Sequence, residues 1–195
     1  MIISHKHKFI FLHSRKCAGS SMEVALNNYL GPDDIQIGSW TETMRRDGKM
    51  NNKAIKDAFF SPWSWGVSLK QIAASVLSGK GINLPRVVNS SIKRYYNEKL
   101  GDNPACATAE SVMNFDPSAW KNYFKFSFVR NPFDFEISDY FWRTKGIDQG
   151  LGFKEFLKKK LKITEDHKGI VPFPSTNWSI YSINNEVVLD YIGTF

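Results

Sequence analysis

FIFLHSRKCAGSS, Phe9 to Ser21, decides the fold: an unbroken apolar run ends in a loop of lysine, small residues and hydroxyls. Phe9, Ile10, Phe11 and Leu12 suit a parallel strand buried on both faces, so the residues after them belong at the sheet's carboxyl edge. Beyond Ser20 and Ser21, Met22, Ala25, Leu26 and Tyr29 recur at three-and-four spacing and predict one apolar helix face, with Gly31-Pro32 as its stop. The loop therefore joins a strand to a helix N-terminus. Free backbone N–H groups and the positive end of the helix dipole favour an anion there, Gly19 allows close approach, and Lys16 adds a full charge. A triphosphate loop carries its lysine after the last glycine, whereas Lys16 precedes Gly19, which disfavours an ordinary ATP or GTP site.

The chain has 195 residues, 42% hydrophobic and 14% aromatic, enough for one substantial core, and one domain over residues 1–195 is expected. Its net charge of +7 implies an anionic partner without choosing among nucleic acid, membrane, polymer and small molecule. Two cysteines, Cys17 and Cys106, make neither a zinc cluster nor a disulfide framework, so no metal is expected and a reducing compartment is the simpler reading. No apolar run reaches membrane-spanning length, and His5-Lys6-His7-Lys8 leads straight into a strand rather than a signal peptide. The expectation is a cytoplasmic monomer or homodimer.

Further along, residues 33 to 68 read as irregular, with Trp40, Trp63 and Trp65. Helical faces are predicted at Leu69, Ile72, Ala73, Val76 and Leu77, and at Ile92, Tyr95, Tyr96 and Leu100. A short helix is expected at 108–114. Asp116-Pro117 has the order of an N-cap and a first-turn proline, and Tyr123 to Val129 is an aromatic and β-branched strand running into Asn131-Pro132. Phe153, Phe156, Leu157 and Leu161 predict an amphipathic helix whose Lys158-Lys159-Lys160 run is a solvated face, and Val187 to Ile192 a last strand. Strands alternating with helices argue for a three-layer α/β fold, its central sheet largely parallel and flanked by helices.

The second strand–loop–helix unit, FSFVRNPFDFEISDYFW from Phe126, puts Arg130 at a strand end and Ser138 on the following helix. About two helical turns separate Asn131 from Ser138, so a guanidinium fork and a hydroxyl can converge on one phosphate. F-x-H-x-x-K-x-x-G-S-S followed in the second half by F-V-R-N-P-x-D-x-x-x-S-x-Y resembles the sulfotransferases that use 3′-phosphoadenosine 5′-phosphosulfate (PAPS), nearest the carbohydrate branch. WKNYFKF before Arg130 and LDYIGTF at the end also look like family segments. The resemblance implies a P-loop-like sulfotransferase architecture. It also implies that Arg15, Lys16, Cys17, Ala18, Gly19, Ser20 and Ser21 embrace the 5′-phosphosulfate while Arg130 and Ser138 hold the 3′-phosphate. PAPS is then the donor, PAP the product, and a hydroxyl on a carbohydrate or small molecule the acceptor, with residues 33–105 an insertion that shapes its site. Many members continue past the I-G-x-F segment, so a shortened C-terminus is expected.

Sulfuryl transfer needs positioning and stabilisation of charge on the leaving oxygen, and Lys16 is the residue for it. For the acceptor proton the candidates are His13, Glu110 and His167, because Ala105-Cys106-Ala107-Thr108-Ala109 carries Cys106 where family members often have a histidine. Trp40, Trp63, Trp65 and Trp178 are either core or stacking platforms. Three other readings remain open: a PAPS- or PAP-binding protein without activity, a basic nucleic-acid-binding module, and a small-molecule kinase.

Overall fold

The computed structural model describes residues 1–61, 81–145, 150–161 and 176–195, with Gly66, Lys70, Ile72, Ala73 and Leu77 at isolated positions. The chain runs β1 (Ile2–Ser4), β2 (Phe9–Phe11), α1 (Gly19–Asn27), β3 (Ile35–Gln36), α2 (Trp40–Arg45), α3 (Asn52–Phe59), α4 (Leu84–Leu100), a 3₁₀ turn at Pro104–Cys106, and α5 (Ala109–Phe115). It continues with α6 (Pro117–Asn122), β4 (Phe124–Val129), α7 (Pro132–Thr144), α8 (Phe153–Lys160), α9 (Trp178–Tyr181), β5 (Ser182–Ile183), β6 (Glu186–Val187) and β7 (Tyr191–Thr194).

Five strands form one sheet in the order β3-β1-β2-β4-β7. The half that carries the two motifs is parallel, with Phe9 opposite Phe124 and Phe126 opposite Tyr191. The other half is not. β1 pairs antiparallel with both β2 and β3, because the His5–Lys8 turn is too short for a crossover and can only reverse the chain. The sheet is therefore mixed rather than largely parallel. Asp34 ties that turn down: its Oδ1 accepts from the amides of His5 (2.8 Å) and Lys6 (3.1 Å), its Oδ2 from Ser4 Oγ (2.6 Å) and the Gly31 amide (2.8 Å). Burial alone would raise the Asp34 carboxyl, but these four donors hold it below its ordinary value.

The core lies on one sheet face, where Met1, Ile3, Ile10, Leu12, Ile35 and Ile37 meet Trp40 of α2, Ala54 and Ala58 of α3, and Val88, Ile92 and Tyr96 of α4. The opposite face carries an aromatic ladder. Phe9 and Phe11 of β2 lie 5.7 and 5.2 Å from Phe126 of β4, ring centre to ring centre, as side chains at alternate positions must when they share a face.

Several elements differ from the sequence expectation. Residues 33–68 hold β3, α2 and α3, and Trp40 is a core residue whose Nε1 donates to Gln36 O at 3.2 Å. α1 turns its polar stripe inward: Glu23 and Asn27 are buried, whereas Tyr29 of the expected apolar face is 65% exposed. Asn27 earns its burial by donating to Gln36 Oε1 at 2.9 Å and accepting from the Lys49 amide at 3.0 Å. The final strand is split into β6 and β7, with an Asn184-Asn185 turn of positive φ closing the β5–β6 hairpin. Lys160 of the lysine run is buried rather than solvated. The helix expected from Leu69 falls mostly, and Trp63, Trp65 and His167 wholly, outside the described residues. Other readings hold: α4 buries Ile92, Tyr96 and Leu100, Asp116 caps α6 by accepting from the Ala119 amide, and Asn131 caps α7. Among the described residues no helix is long and apolar enough to cross a membrane.

Asp34→Ala should destabilise the protein by at least about 2 kcal/mol, since it strips several buried donors of their acceptor. The check is a lower denaturant midpoint at unchanged slope. The wild-type advantage should be present above the ordinary carboxylate range and disappear as pH falls through and below it, because the folded carboxyl is depressed.

Candidate functional site

The loop after β2 has a strained and braced backbone. Lys16 and Ala18 adopt left-handed φ values of 60° and 57°, a conformation that costs a non-glycine residue roughly 1 kcal/mol or more and that turns neighbouring N–H groups into a concavity. α1 then opens at Gly19 with no side chain capping its first turn and no acidic residue in it. Its first N–H groups and dipole are left facing the loop. Two devices hold this geometry. Asn177 clamps Arg15 from the far end of the chain, accepting from its amide at 3.0 Å and donating to its carbonyl at 2.8 Å. Ser14 Oγ donates to Ser127 Oγ at 2.8 Å while Ser127 donates to Leu12 O at 2.7 Å, which locks the ends of β2 and β4 together.

A cavity of about 520 Å³ opens over this loop, and it unites residues from both motifs: Arg15, Lys16, Ala18, Gly19, Ser20 and Ser21 on one side, Arg130 and Ser138 on the other. Arg130 Nη1 donates to Lys16 O at 3.5 Å, so the two basic centres are neighbours through the backbone of the loop. His13 and Cys106 share the lining, as do Lys93, Asn103, Trp142 and Phe195, which sequence reasoning missed. Trp142 had a signal, since it lies one helical turn beyond Ser138 and carries Lys16 Nζ 5.5 Å above its ring. Lys93 had none; it sits beside the apolar stripe of α4.

Not every candidate faces the cavity. The Cys17 thiol is buried and donates to Arg15 O at 3.2 Å, and Cys17 does not line the cavity. Glu110 is exposed in the first turn of α5 and does not line the cavity. Trp178, 43% exposed, donates to Asn185 Oδ1 at 3.4 Å. Burial pushes the Cys106 thiol up, which keeps it protonated and removes it as a base.

His13 is held by a carboxylate that the sequence concealed. Glu23 is completely buried; it accepts from His13 Nδ1 at 2.9 Å and from the amino group of Met1, which also donates to Ile37 O and Ala105 O. Burial opposes ionisation, but the Met1 amine and His13 outweigh it and hold the Glu23 carboxyl down to about 2. An ionised carboxylate only accepts, so Nδ1 donates to Glu23 and Nε2 is the ring nitrogen outside that bond. Gly19 is a condition of this arrangement: a Cβ there would fall 2.2 Å from Nε2. A glutamate on the second turn of a helix normally reads as solvent-facing, which is why it was missed.

A second buried carboxylate underlies the cationic side. Asp139 of α7 accepts from Arg143 Nε at 2.9 Å and Lys160 Nζ at 3.1 Å, and lies 3.8 Å from Arg15 Nη2. Lys160 also reaches Glu136 at 2.8 Å, so α8 is fastened beneath α7 by charge as well as by Phe156. Lys16 is left in a cationic neighbourhood. Burial lowers its ammonium, Asp139 counters that, and Arg130, Arg15 and Arg143 lower it further.

The family model described as the sulfotransferase family matches residues 1–168. The chain belongs to the sulfotransferase family. No curated protein and no solved structure matches it. Family membership supports sulfotransfer in general, and the matched span contains every cavity residue from His13 to Trp142. Among the described residues of this family member, no three His, Cys, Asp or Glu side chains are grouped to hold a metal ion.

Glu23→Gln should cost roughly 3 to 5 kcal/mol, because the Met1 amine is left buried without its counter-charge. The pH dependence has a definite sign. The depressed folded carboxyl contributes stability above about pH 4.5, its ordinary value, and loses it as pH falls toward 2. Chemical denaturation between pH 2 and 7 should show a steeper acid limb in the wild type than in the variant, which keeps the share that Asp34 contributes.

Proposed function

We propose that this chain transfers a sulfuryl group from PAPS to a hydroxyl acceptor. The observation that carries the reading is one cavity with two anion-recognition centres: an uncapped helix N-terminus with Lys16, and Arg130 with Ser138. A ligand with a phosphosulfate at one end and a phosphate at the other fits that pairing, and a triphosphate does not need it. A P-loop-like architecture is part of the same reading, supported by the strand–loop–helix geometry at Phe9–Asn27.

Lys16, the N–H groups of Gly19 to Ser21 and the hydroxyls of Ser20 and Ser21 hold the 5′ end and stabilise the negative charge that grows on the bridging oxygen as the S–O bond breaks. Arg130 and Ser138 hold the 3′-phosphate and set the donor's register. His13 accepts the acceptor's proton at Nε2 while its oxygen bonds to sulfur, and Glu23 stabilises the imidazolium that results. A second reading, a protein that binds PAP without transfer, is favoured by Cys106 occupying a position where the family resemblance expects a histidine.

Calorimetry with PAP, ATP and a single-stranded oligonucleotide tests the donor site, and tight binding of ATP or the oligonucleotide with no PAP binding would sink the reading. Lys16→Ala and Arg130→Ala should each weaken PAP by about tenfold to a hundredfold, as expected for a lost charge-assisted contact. PAP affinity should fall on the alkaline side at a pH below that of an ordinary lysine, since the Lys16 ammonium is depressed and its cation is the binding form. Labelled sulfate transferred to an acceptor panel separates enzyme from binding protein: Lys16→Ala should transfer almost nothing, and His13→Asn should lower turnover about 10²- to 10⁴-fold while PAP affinity stays within a few-fold.

A further inference from the structure

Beside the first cavity lies a second of about 540 Å³. It shares Arg15, Asn103, Cys106 and Trp142 with the first, so these four form a common wall between the two spaces. Each space has the size of a site for one small ligand. Both anion centres lie in the first, and neither Lys16, Arg130 nor Ser138 touches the second.

The lining of the second cavity specifies its occupant. Leu100, Ala107 and Ile180 give it a buried apolar floor, suited to the flat face of a ring. Thr108, Ser111 and Ser179 give it an edge of hydroxyls, suited to hydrogen bonding at that ring's rim. Among the described residues, the two cations that touch it are already committed: Arg143 Nε lies 2.9 Å from buried Asp139, and Arg15 Nη2 3.8 Å from the same carboxylate. Little positive charge is left over for an anionic ligand, and Asp102 adds a carboxylate to the lining.

In-line transfer needs the acceptor oxygen on the side of sulfur opposite the leaving oxygen. Lys16 and the α1 N–H groups mark the leaving side, whereas Asn103, Cys106 and Trp142, which border both spaces, come from the 3₁₀ turn with its N-cap and from α7 rather than from that loop. We infer that this second cavity is the acceptor site and that it takes a compact, uncharged alcohol of one or two rings rather than an anionic polysaccharide. The inference rests on the donor reading above. His13, which shares the first cavity with Cys106, then meets the acceptor hydroxyl at the wall. The acceptor oxygen bonds to sulfur, the S–O bond to PAP breaks, and the hydroxyl proton passes to His13.

The test uses p-nitrophenyl β-D-galactoside, a neutral two-ring alcohol, beside chondroitin as an anionic polymer, with binding read by calorimetry and transfer by labelled sulfate. Ser179→Trp fills the cavity from α9, and Thr176→Trp does so from an exposed position that folding tolerates. Both should weaken the galactoside by at least about tenfold and leave PAP affinity within about twofold, which also certifies the fold. Galactoside binding or transfer unchanged in both variants overturns the inference, as does binding of chondroitin that both variants abolish. Absence of PAP binding in the wild type would instead overturn the donor reading, and the galactoside arm would still report on the cavity.

Discussion

A single buried carboxylate organises the working end of this protein. Glu23 has nowhere to send its charge except the Met1 amine and His13, and a carboxylate sealed from water stays ionised only with such partners. That requirement sets the rotation of α1 about its own axis, with Glu23 and Asn27 inward and the more apolar stripe outward. It also sets the ring plane of His13, and through the missing Cβ of Gly19 it sets how closely the helix start approaches the end of β2. Helix, histidine and anion loop are thus one mechanical unit, and the hydrophobic effect supplies only its backing.

The second organising charge, Asp139, acts on the opposite wall. It draws Arg143, Lys160 and Arg15 together, so that cations near the loop are divided between those spent on structure and those facing the cavity. Lys16 and Arg130 belong to the latter group. Burial, and then the repulsion of Arg130, depress the Lys16 ammonium, and a nearby negative charge would raise it again. A site built this way is poised for anions by its own unfavourable electrostatics.

What could be read from the sequence followed from signal length. Phe9–Ser21 and Phe126–Trp142 each carry strand, loop and helix start in one contiguous run, and residues of both line one cavity. The α4 stripe of Ile92, Tyr96 and Leu100 was legible because helical periodicity persists over its 17 residues. β1 and β3, of three and two residues, are too short to show alternation, and that hid the antiparallel half of the sheet. The buried face of α1 was misread for a different reason: polar residues satisfied by distant partners look, locally, like residues meant for water. Lys160 was missed in the same way, its partners Glu136 and Asp139 lying on another helix.

The clamp of Asn177 on Arg15 spans 162 positions of sequence. A nascent chain emerges N-terminus first, so the loop after β2 is made well before the amide that braces it and before the β7 strand that pairs with β4. The left-handed turns at Lys16 and Ala18 therefore lack their brace until residue 177 has cleared the ribosome.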